Sequence, residues 1–296
     1  MSTENGLVVI TGASTGIGAA TAHEMARRGF HVLAGVRRER DADSIRAANI
    51  EPLILDITKP DHIRALARRV GEDPQRRPLR ALVNNAAVQA NVPIEVFGID
   101  QWRDMFEVNL FGHVAVIQAL LPALIDSGGR VVNISSVGGR VAMATYGPYA
   151  GTKFALEAVS DSLRREVAPH GVRVIVIEPG AVRTEMLGRA VVGARDLLTA
   201  MTPEQRHRYG GLVHAINAQA EASTEKGLPA AAAAAVIAKA ITTRRPRTRY
   251  TVGREAALLP VLRLLPDRLL DRILVAALRP HQPKGNAQLD ATVTHR

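Results

Sequence analysis

Through its first 180 residues the chain alternates short, uniformly apolar runs with longer amphipathic segments. Few folds satisfy that alternation. Gly6–Ile10 (GLVVI), His31–Val36, Pro52–Leu55, Arg80–Val83, Arg130–Ile134 (RVVNI) and Val172–Ile177 (VRVIVI) read as strands. Helices are expected over Gly16–Arg28, Asp41–Asn49, Asp61–Val70, Gln101–Asp126 and Pro148–Ala168, with Gly29 and the Gly128–Gly129 pair as stop signals. Strands apolar on both faces belong inside a parallel sheet that helices cover on both sides. The predicted fold is α/β and doubly wound.

After Pro179 the patterning loosens. Residues 181–228 carry scattered Gly, Thr and polar side chains with only short helical stretches, as a lid or binding loop would. Helix returns at Pro229–Ile241, where the run Ala230–Ala235 is strong helix former, and a short strand is expected at Tyr250–Val252. Within Leu258–Leu278, Pro266 suits the first turn of a helix. That helix sets Leu269, Leu270, Ile273, Leu274, Ala277 and Leu278 on one face and Arg268, Asp271, Arg272 and Arg279 on the other. It is expected to pack over the substrate cleft. An interfacial helix on anionic membrane is the alternative, disfavoured because Asp267 and Asp271 dilute its basic face. The organisation expected is one catalytic domain over 1–255, a helical extension over 256–280 and a polar tail over 281–296.

Composition excludes several functions. The absence of cysteine rules out disulfides, thiolate metal sites and cysteine nucleophiles, and no metal site is expected. The net charge of +10 comes almost wholly from arginines spread along the whole chain, and aromatics are only 3%. Nucleic-acid binding, which wants a concentrated basic patch or stacking platforms, is therefore not expected. The start MSTENGLVVITGAS lacks a basic segment followed by an apolar run, and no long uncharged apolar stretch suggests a membrane span. The expected location is cytoplasmic.

Five groups of residues carry chemistry. Thr11-Gly12-Ala13-Ser14-Thr15-Gly16-Ile17-Gly18 joins the first strand to the first helix. Its glycines permit a sharp turn and a close backbone approach, and the helix N-terminus then offers free N–H groups to a pyrophosphate. Tyr149 and Lys153 lie four residues apart on one helix face. An ammonium near a phenol favours the phenolate and lowers the phenol's pKa toward neutrality, so Tyr149 can exchange a proton with a substrate oxygen. By itself, the pair also fits a surface contact. Ser136 follows RVVNI and emerges at the strand's C-terminal end, the ligand edge of such a sheet. Asn109 sits in an apolar helical stretch, where it must be hydrogen-bonded; it either serves structure alone or fixes a water in the proton path. Finally, Val36 ends the second strand where an acidic residue would select NAD(H). Arg37 and Arg38 follow it, and no carboxylate appears before Glu39. Arg37, with the Ser14 hydroxyl, predicts NADP(H) over NAD(H), the alternative being two solvated arginines.

TGASTGIG (11–18), NNAA (84–87), Asn109, NISS (133–136), YAGTK (149–153) and PGAVRT (179–184) occur in this order between Gly6 and about Met186. Together they resemble the classical short-chain dehydrogenase/reductase family. The runs VNLFG, SVGG and YAGTKFALE are similar to its steroid- and retinol-converting branch. The resemblance implies a Rossmann domain with a parallel seven-stranded sheet of order 3-2-1-4-5-6-7. It also implies an Asn109–Ser136–Tyr149–Lys153 tetrad. By this likeness Tyr149 is the general acid/base and Ser136 orients the carbonyl or hydroxyl. Lys153 lowers the tyrosine pKa and holds the nicotinamide ribose, and Asn109 supports the relay. Asp56 and Ile57 flank the adenine, Asn85 lines the adenine ribose region, and Thr184 touches the carboxamide or phosphates; Asp56 and Thr184 also suit helix caps. Ala86, Ala87, Pro179, Gly180 and Val182 complete the implied cofactor contacts. Ala87 departs from the family's usual glycine, a small change.

Ser136, Gly138, Met143, Tyr149 and Met186 are the expected substrate contacts. The mostly apolar stretch 137–144 joins Val182, Leu187, Val191, Val192, Leu197, Leu198 and Met201 in predicting an apolar pocket. A bulky hydrophobic secondary alcohol or ketone, steroid-, retinoid- or lipid-like, is the expected substrate. Pairing through the helices near 101–126 and 148–168, as a homodimer or homotetramer, is implied as well. A non-catalytic, cofactor-sensing protein of this fold is the rival reading, and the intact four-residue set argues for the enzyme.

Overall fold

The computed structural model describes residues 6–253, 256 and 258–282, less the side chains of residues 187, 191, 195, 259 and 260. In chain order the elements are β1 (Leu7–Ile10), α1 (Gly16–Arg27), β2 (His31–Val36), α2 (Glu39–Ile45), β3 (Ile50–Ile54), α3 (Pro60–Gly71) and β4 (Leu79–Asn84). There follow α4 (Ile99–Phe106), α5 (Gly112–Ser127), β5 (Arg130–Ile134), α6 (Gly147–Val167), β6 (Arg173–Pro179) and β7 (Val182–Arg183). The chain goes on through α7 (Glu185–Ala200), α8 (Pro203–Glu225), β8 (Leu228–Pro229), α9 (Ala230–Thr242), β9 (Arg249–Val252), α10 (Leu259–Leu262) and α11 (Asp267–Leu278).

Seven strands form one parallel sheet in the order β3-β2-β1-β4-β5-β6-β9. This is the predicted order: β7 and β8 pair only with each other, so β9 is the seventh strand of the sheet. Side chains alternate across each strand. Val8 and Ile10 of β1 therefore join a core with Met25 of α1, Ile45 of α2 and Ile237 of α9. Leu7 and Val9 join the opposite core with Leu66 of α3 and Leu120 and Leu124 of α5. Both faces are buried, which is why the strands lack polar alternation. The strand order reverses between β1 and β4, and at such a switch point the crevice beyond the strands' C-terminal ends binds ligands.

Four expectations need correction. β3 begins at Ile50 rather than Pro52, because Ile50 pairs with Val32; α2 ends at Ile45, and Asn49 turns the chain at φ 61°. Pro52 is tolerated because β3 is an edge strand. Residues 181–228 hold two long helices, α7 and α8, not short stretches. α8 buries Gly210, Val213, Ile216, Asn217 and Ala220 at helical spacing, but glycine, asparagine and alanine make up most of that face, so the sequence shows no strongly apolar stripe. Its start is nonetheless written in Thr202-Pro203-Glu204-Gln205: Gln205 N donates to Thr202 Oγ1 at 3.2 Å and Thr202 N to Gln205 Oε1 at 3.1 Å, a capping box with proline at the first position. Ile99–Ser127 is one helical run, α4 and α5 joined by a π-helical turn over Glu107–Phe111, and it is long and apolar enough to cross a membrane. Here its Val116, Ile117, Leu120 and Leu124 pack on the sheet. On α11, Leu270 and Leu278 are buried, but Leu269 and Ile273 stand exposed, so the packed stripe is narrower than expected. The tail from 283 onward lies outside the described residues.

Asp73 ties the end of α3 to β4. Its buried carboxylate accepts from Arg77 N at 2.8 Å, Arg77 Nη2 at 2.6 Å and Arg69 Nη1 at 3.0 Å. The Arg77 hydrogen bond holds its pKa far below the ordinary 3.8. A carboxyl whose folded pKa is depressed contributes stability above its unfolded pKa and loses it on acidification. Asp73→Asn is therefore expected to cost about 3 kcal/mol at pH 7, with the difference from the parent shrinking below about pH 4. Denaturant melts at pH 7 and pH 3 check this; an equal deficit at both would refute it.

Candidate active site

The glycine loop turns at Gly12, whose φ of 64° favours glycine, and a Cβ there would lie 2.7 Å from Ala86 Cα. The β1 and β4 loops thus touch backbone to backbone. Thr11 Oγ1 accepts from Asn85 N and Ala86 N, each at 3.0 Å. Asn85 Nδ2 donates to Thr11 O at 3.0 Å and Gly12 O at 2.9 Å. The Asn85 amide therefore fastens the two loops together while the residue also lines the cleft. Gly18 does not line it: a Cβ there would meet Gly12 O at 2.3 Å, so Gly18 seats α1 against the loop.

The helix behind holds the same β4 loop from its other side. Asn109 Nδ2 donates to Val88 O at 2.8 Å and to Thr152 Oγ1 at 3.1 Å, and its Oδ1 accepts from Val88 N at 2.8 Å. With the amide so engaged, the Asn109 side chain braces the loop and α6 rather than reaching the cleft. Four residues on, His113 donates Nε2–H to Ala86 O at 2.7 Å. Burial, helped by the Lys153 charge, pushes its pKa down to about 3, so His113 is neutral. Sequence reasoning misses His113. Its signal is the one that exposes Asn109: a polar residue at helical spacing in an apolar run.

The reacting groups converge where β5 ends. Ser136 Oγ accepts from Gly138 N at 3.0 Å, and its hydroxyl lies beside the Tyr149 phenol. Tyr149 and Lys153 share one face of α6, with Nζ 5.7 Å from the ring centroid. Lys153 is 1% exposed and donates to Ile134 O at 2.9 Å. Burial pulls its pKa down to about 8, with Glu157 opposing the fall. The expected lowering of the Tyr149 pKa is not what the structure shows. Burial pushes it up to about 12 against a smaller effect of Ser136, and the phenol keeps its proton. A buried polar bridge fixes the helix that carries both groups: Asn84 Nδ2 donates to Asn133 Oδ1 at 2.9 Å, and Asn133 Nδ2 to Ser160 Oγ at 2.8 Å.

These residues line one cavity of about 510 Å³. Gly12, Ser14, Thr15, Gly16, Ile17, Arg37, Asp56, Ile57, Asn85, Ala86 and Ala87 line it beyond the ends of β1, β2, β3 and β4. Pro179, Gly180, Val182 and Thr184 line it beyond β6, and Ser136, Gly138, Met143, Tyr149, Lys153 and Met186 line its reacting part. Of the expected catalytic, cofactor and substrate contacts only Gly18 and Asn109 stand outside it; Leu197, Leu198 and Met201, expected in the apolar pocket, instead pack with Val213 in a separate cluster. Asp56 also shapes its own turn: Oδ1 accepts from Thr58 N at 2.9 Å and Thr58 Oγ1 at 2.7 Å. Burial raises its pKa, but those bonds and the nearby Arg37 charge outweigh that and lower it. Thr184 precedes α7 without a side-chain cap bond, so it is free to face a ligand. Leu187 and Val191 have side chains outside those described, and the exposed Val192 points away from the expected pocket role. Unforeseen cavity residues are Gln219 and Ser223 of α8, whereas Leu274 and Ala277 of α11 line the cavity from the helix face expected to cover the cleft.

Glycine at the closest approach, a helix N-terminus facing the cleft and a cationic side chain at the end of β2 suit a dinucleotide. Gly12, Ser14, Thr15, Gly16 and Ile17 would hold its pyrophosphate and Lys153 its ribose. Among the described residues no cluster of metal-ligating side chains occurs.

Residues 6–193 match the family model described as short chain dehydrogenase. The chain is 32% identical over 280 residues to the NADPH-dependent 3-dehydrocapnine reductase of Ornithobacterium rhinotracheale, covering 92% of this chain and 96% of that one. It is 34% identical over 294 residues to retinol dehydrogenase 7 of Mus musculus, covering 93% and 90%. A short-chain dehydrogenase from Streptomyces avermitilis superposes with a TM-score of 0.74 at 30% identity, over 92% of this chain and 96% of that one. The chain is an oxidoreductase of alcohol and ketone groups and belongs to the short-chain dehydrogenase family.

Proposed function

We propose that this enzyme interconverts a bulky hydrophobic ketone and its secondary alcohol, with NADP(H) preferred to NAD(H). The observation that carries the reading is the single cavity in which a protonated Tyr149, Ser136 and Lys153 meet apolar walls from Val141, Met143, Met186, Leu274 and Ala277. The nicotinamide, when bound, supplies or takes the hydride. Ser136 donates a hydrogen bond to the substrate oxygen and fixes its place. Tyr149, protonated in this site, gives its proton to that oxygen as a ketone is reduced, or takes one in the reverse direction. Lys153 steadies the charge that then develops on the tyrosine oxygen. The Ala86–Ala87 turn, clamped by Asn109 and His113, holds the cleft's floor. The relatives named for 3-dehydrocapnine and retinol support the apolar substrate class.

Tyr149→Phe removes the proton donor and little else. It is expected to lower kcat at least 100-fold while leaving the cofactor dissociation constant within about twofold of the parent. The assay is a panel of steroids, retinoids and long-chain ketones set against sugars and small polyols. Selective turnover of sugars, or an active Tyr149→Phe enzyme, would overturn the proposal.

Arg37 supports the cofactor preference. Its guanidinium lines the cavity at the end of β2, where a 2′-phosphate would gain a charge-assisted, two-pronged contact. Arg37→Ala is expected to weaken NADP(H) binding by about tenfold or more and NAD(H) binding little. Adding Val36→Asp should reverse the preference. Titration of both cofactors decides it, and a parent enzyme that binds NAD(H) more tightly would refute it.

Self-association through α5 and α6, as a homodimer or homotetramer, belongs to the same proposal and is supported by the exposed Phe111, in the π-helical turn that leads into α5, and Phe154 on α6. So does a cytoplasmic location. Leu264, 83% exposed, and Leu269, Ile273 and Val275 leave apolar side chains exposed on the C-terminal segment. Cell fractionation is expected to leave the enzyme in the supernatant. Recovery in the pellet, released by salt and lost on Leu264→Glu, would replace this reading with a peripheral contact on lipid.

A further inference from the structure

Behind the reacting groups lies a buried cluster of charge that the proton transfer described above does not use. Glu157 follows Lys153 by four residues, so the two stand on one face of α6, 6% and 1% exposed. Arg249 Nε on β9 donates to Glu157 Oε2 at 3.1 Å. The same guanidinium pairs with Asp161 Oδ1 at 3.0 Å and with Glu178 Oε1 at 3.5 Å. Glu178, on β6, also accepts from Thr251 Oγ1 at 3.0 Å and lies 3.8 Å from Arg140 Nη1. Glu157 Oε1 is buried, with the Ser135 hydroxyl beside the carboxylate. Three carboxylates, Glu157, Asp161 and Glu178, thus face two guanidiniums, Arg140 and Arg249. Lys153 supplies the third positive charge, and buried charge persists when it is paired. On the other side of Lys153 stand Tyr149 and the neutral His113.

We infer that Glu157, held by Arg249, is a positioning residue for Lys153: its carboxylate, one helical turn away on the same buried face, keeps the ammonium that Ile134 O anchors charged beside Tyr149. The energetics run the same way. Burial drags the Lys153 pKa toward about 8, and the Glu157 carboxylate is the group that opposes it. Burial first, and then the Glu178 charge, raise the pKa of Glu157 itself, while Ser135 and Arg249 hold it down. Arg249 therefore acts on Lys153 at second hand, by keeping Glu157 ionised. Neutralising Glu157 removes this support, so Lys153 loses its proton at a lower pH, and the alkaline limb of kcat moves toward neutrality.

The inference rests on the roles proposed above for Tyr149 and Lys153. Its test is the kcat–pH profile of the full-length enzyme with its best panel substrate, for the parent, Glu157→Gln and Glu157→Asp, alongside melting temperature and NADP(H) affinity. Glu157→Gln should shift the alkaline limb down by about half a pH unit or more, and Glu157→Asp should lie between it and the parent. NADP(H) affinity at pH 6.5 should stay within about threefold. An unshifted limb in a folded Glu157→Gln enzyme overturns the inference, even if kcat falls uniformly or the melting temperature drops. Should Glu157→Gln not fold, Arg249→Met takes its place: a limb moved toward neutrality supports the inference, and an unmoved limb overturns it. Failure of the catalytic roles themselves shows separately, as an active Tyr149→Phe enzyme.

Discussion

Lys153 places an ammonium group out of water at the C-terminal end of β5, and the packing around it follows from the need to satisfy that charge. An isolated cation in such a place costs several kcal/mol, so it persists only with partners held in place. Ile134 O serves because the strand ends there: the next amide, Ser135 N, bonds across to Ile177 O at 2.8 Å, and the chain then leaves the sheet. Reaching Ile134 fixes the rotation of α6 about its axis. That rotation in turn sends Thr152 toward Asn109, Ser160 toward Asn133 and Tyr149 toward Ser136. One helix thereby answers to three neighbours at once, and a turn of a few degrees would strand polar groups on each.

The sheet edge is locked a second time by side chains that bond to backbone. Thr11, Asn85, Asn109 and His113 together pin the segment after β4 from two sides. Such a segment would otherwise be a free loop, and a cofactor resting on it would meet a moving floor. Their burial makes each bond expensive to lose, since an amide or imidazole left unpaired in the interior costs about 1–3 kcal/mol. Preorganisation of the cleft is therefore a property of the empty protein. The π-helical turn over Glu107–Phe111 belongs to the same device. It shifts the helical register at Asn109, and π turns of this kind recur at functional sites.

What the sequence discloses divides along the same physical line. Strands buried on both faces, the glycine loop and the Tyr149–Lys153 spacing follow from local rules that one chain segment satisfies alone, so they are legible. Asn109 stands out in its apolar run, but its bracing role does not, because its partners Val88 and Thr152 are distant in sequence and only the fold brings them close. His113 escapes notice for the same reason. α7 and α8 look like loop because the buried face of α8 carries Gly210, Asn217 and Ala220 among its apolar residues, and no strong apolar stripe results. The upward pKa of Tyr149 does not follow from an adjacent lysine. Spacing gives proximity, whereas burial, which here dominates, is a tertiary property.

A consequence for the chemistry follows from that last point. A phenol held protonated by its surroundings resists acting as a base until something repays the loss of solvation. In this cleft the groups that can offset that loss are Ser136, beside the phenol, and the Lys153 ammonium, 5.7 Å from the ring centroid. Ketone reduction asks Tyr149 to give up its proton to an oxygen whose charge is developing, so the driving force rises along the reaction coordinate. Alcohol oxidation asks for the phenolate first. The protonated phenol is the form that ketone reduction draws on, and Leu274 and Ala277 of α11 add apolar wall to the cavity in which that transfer takes place.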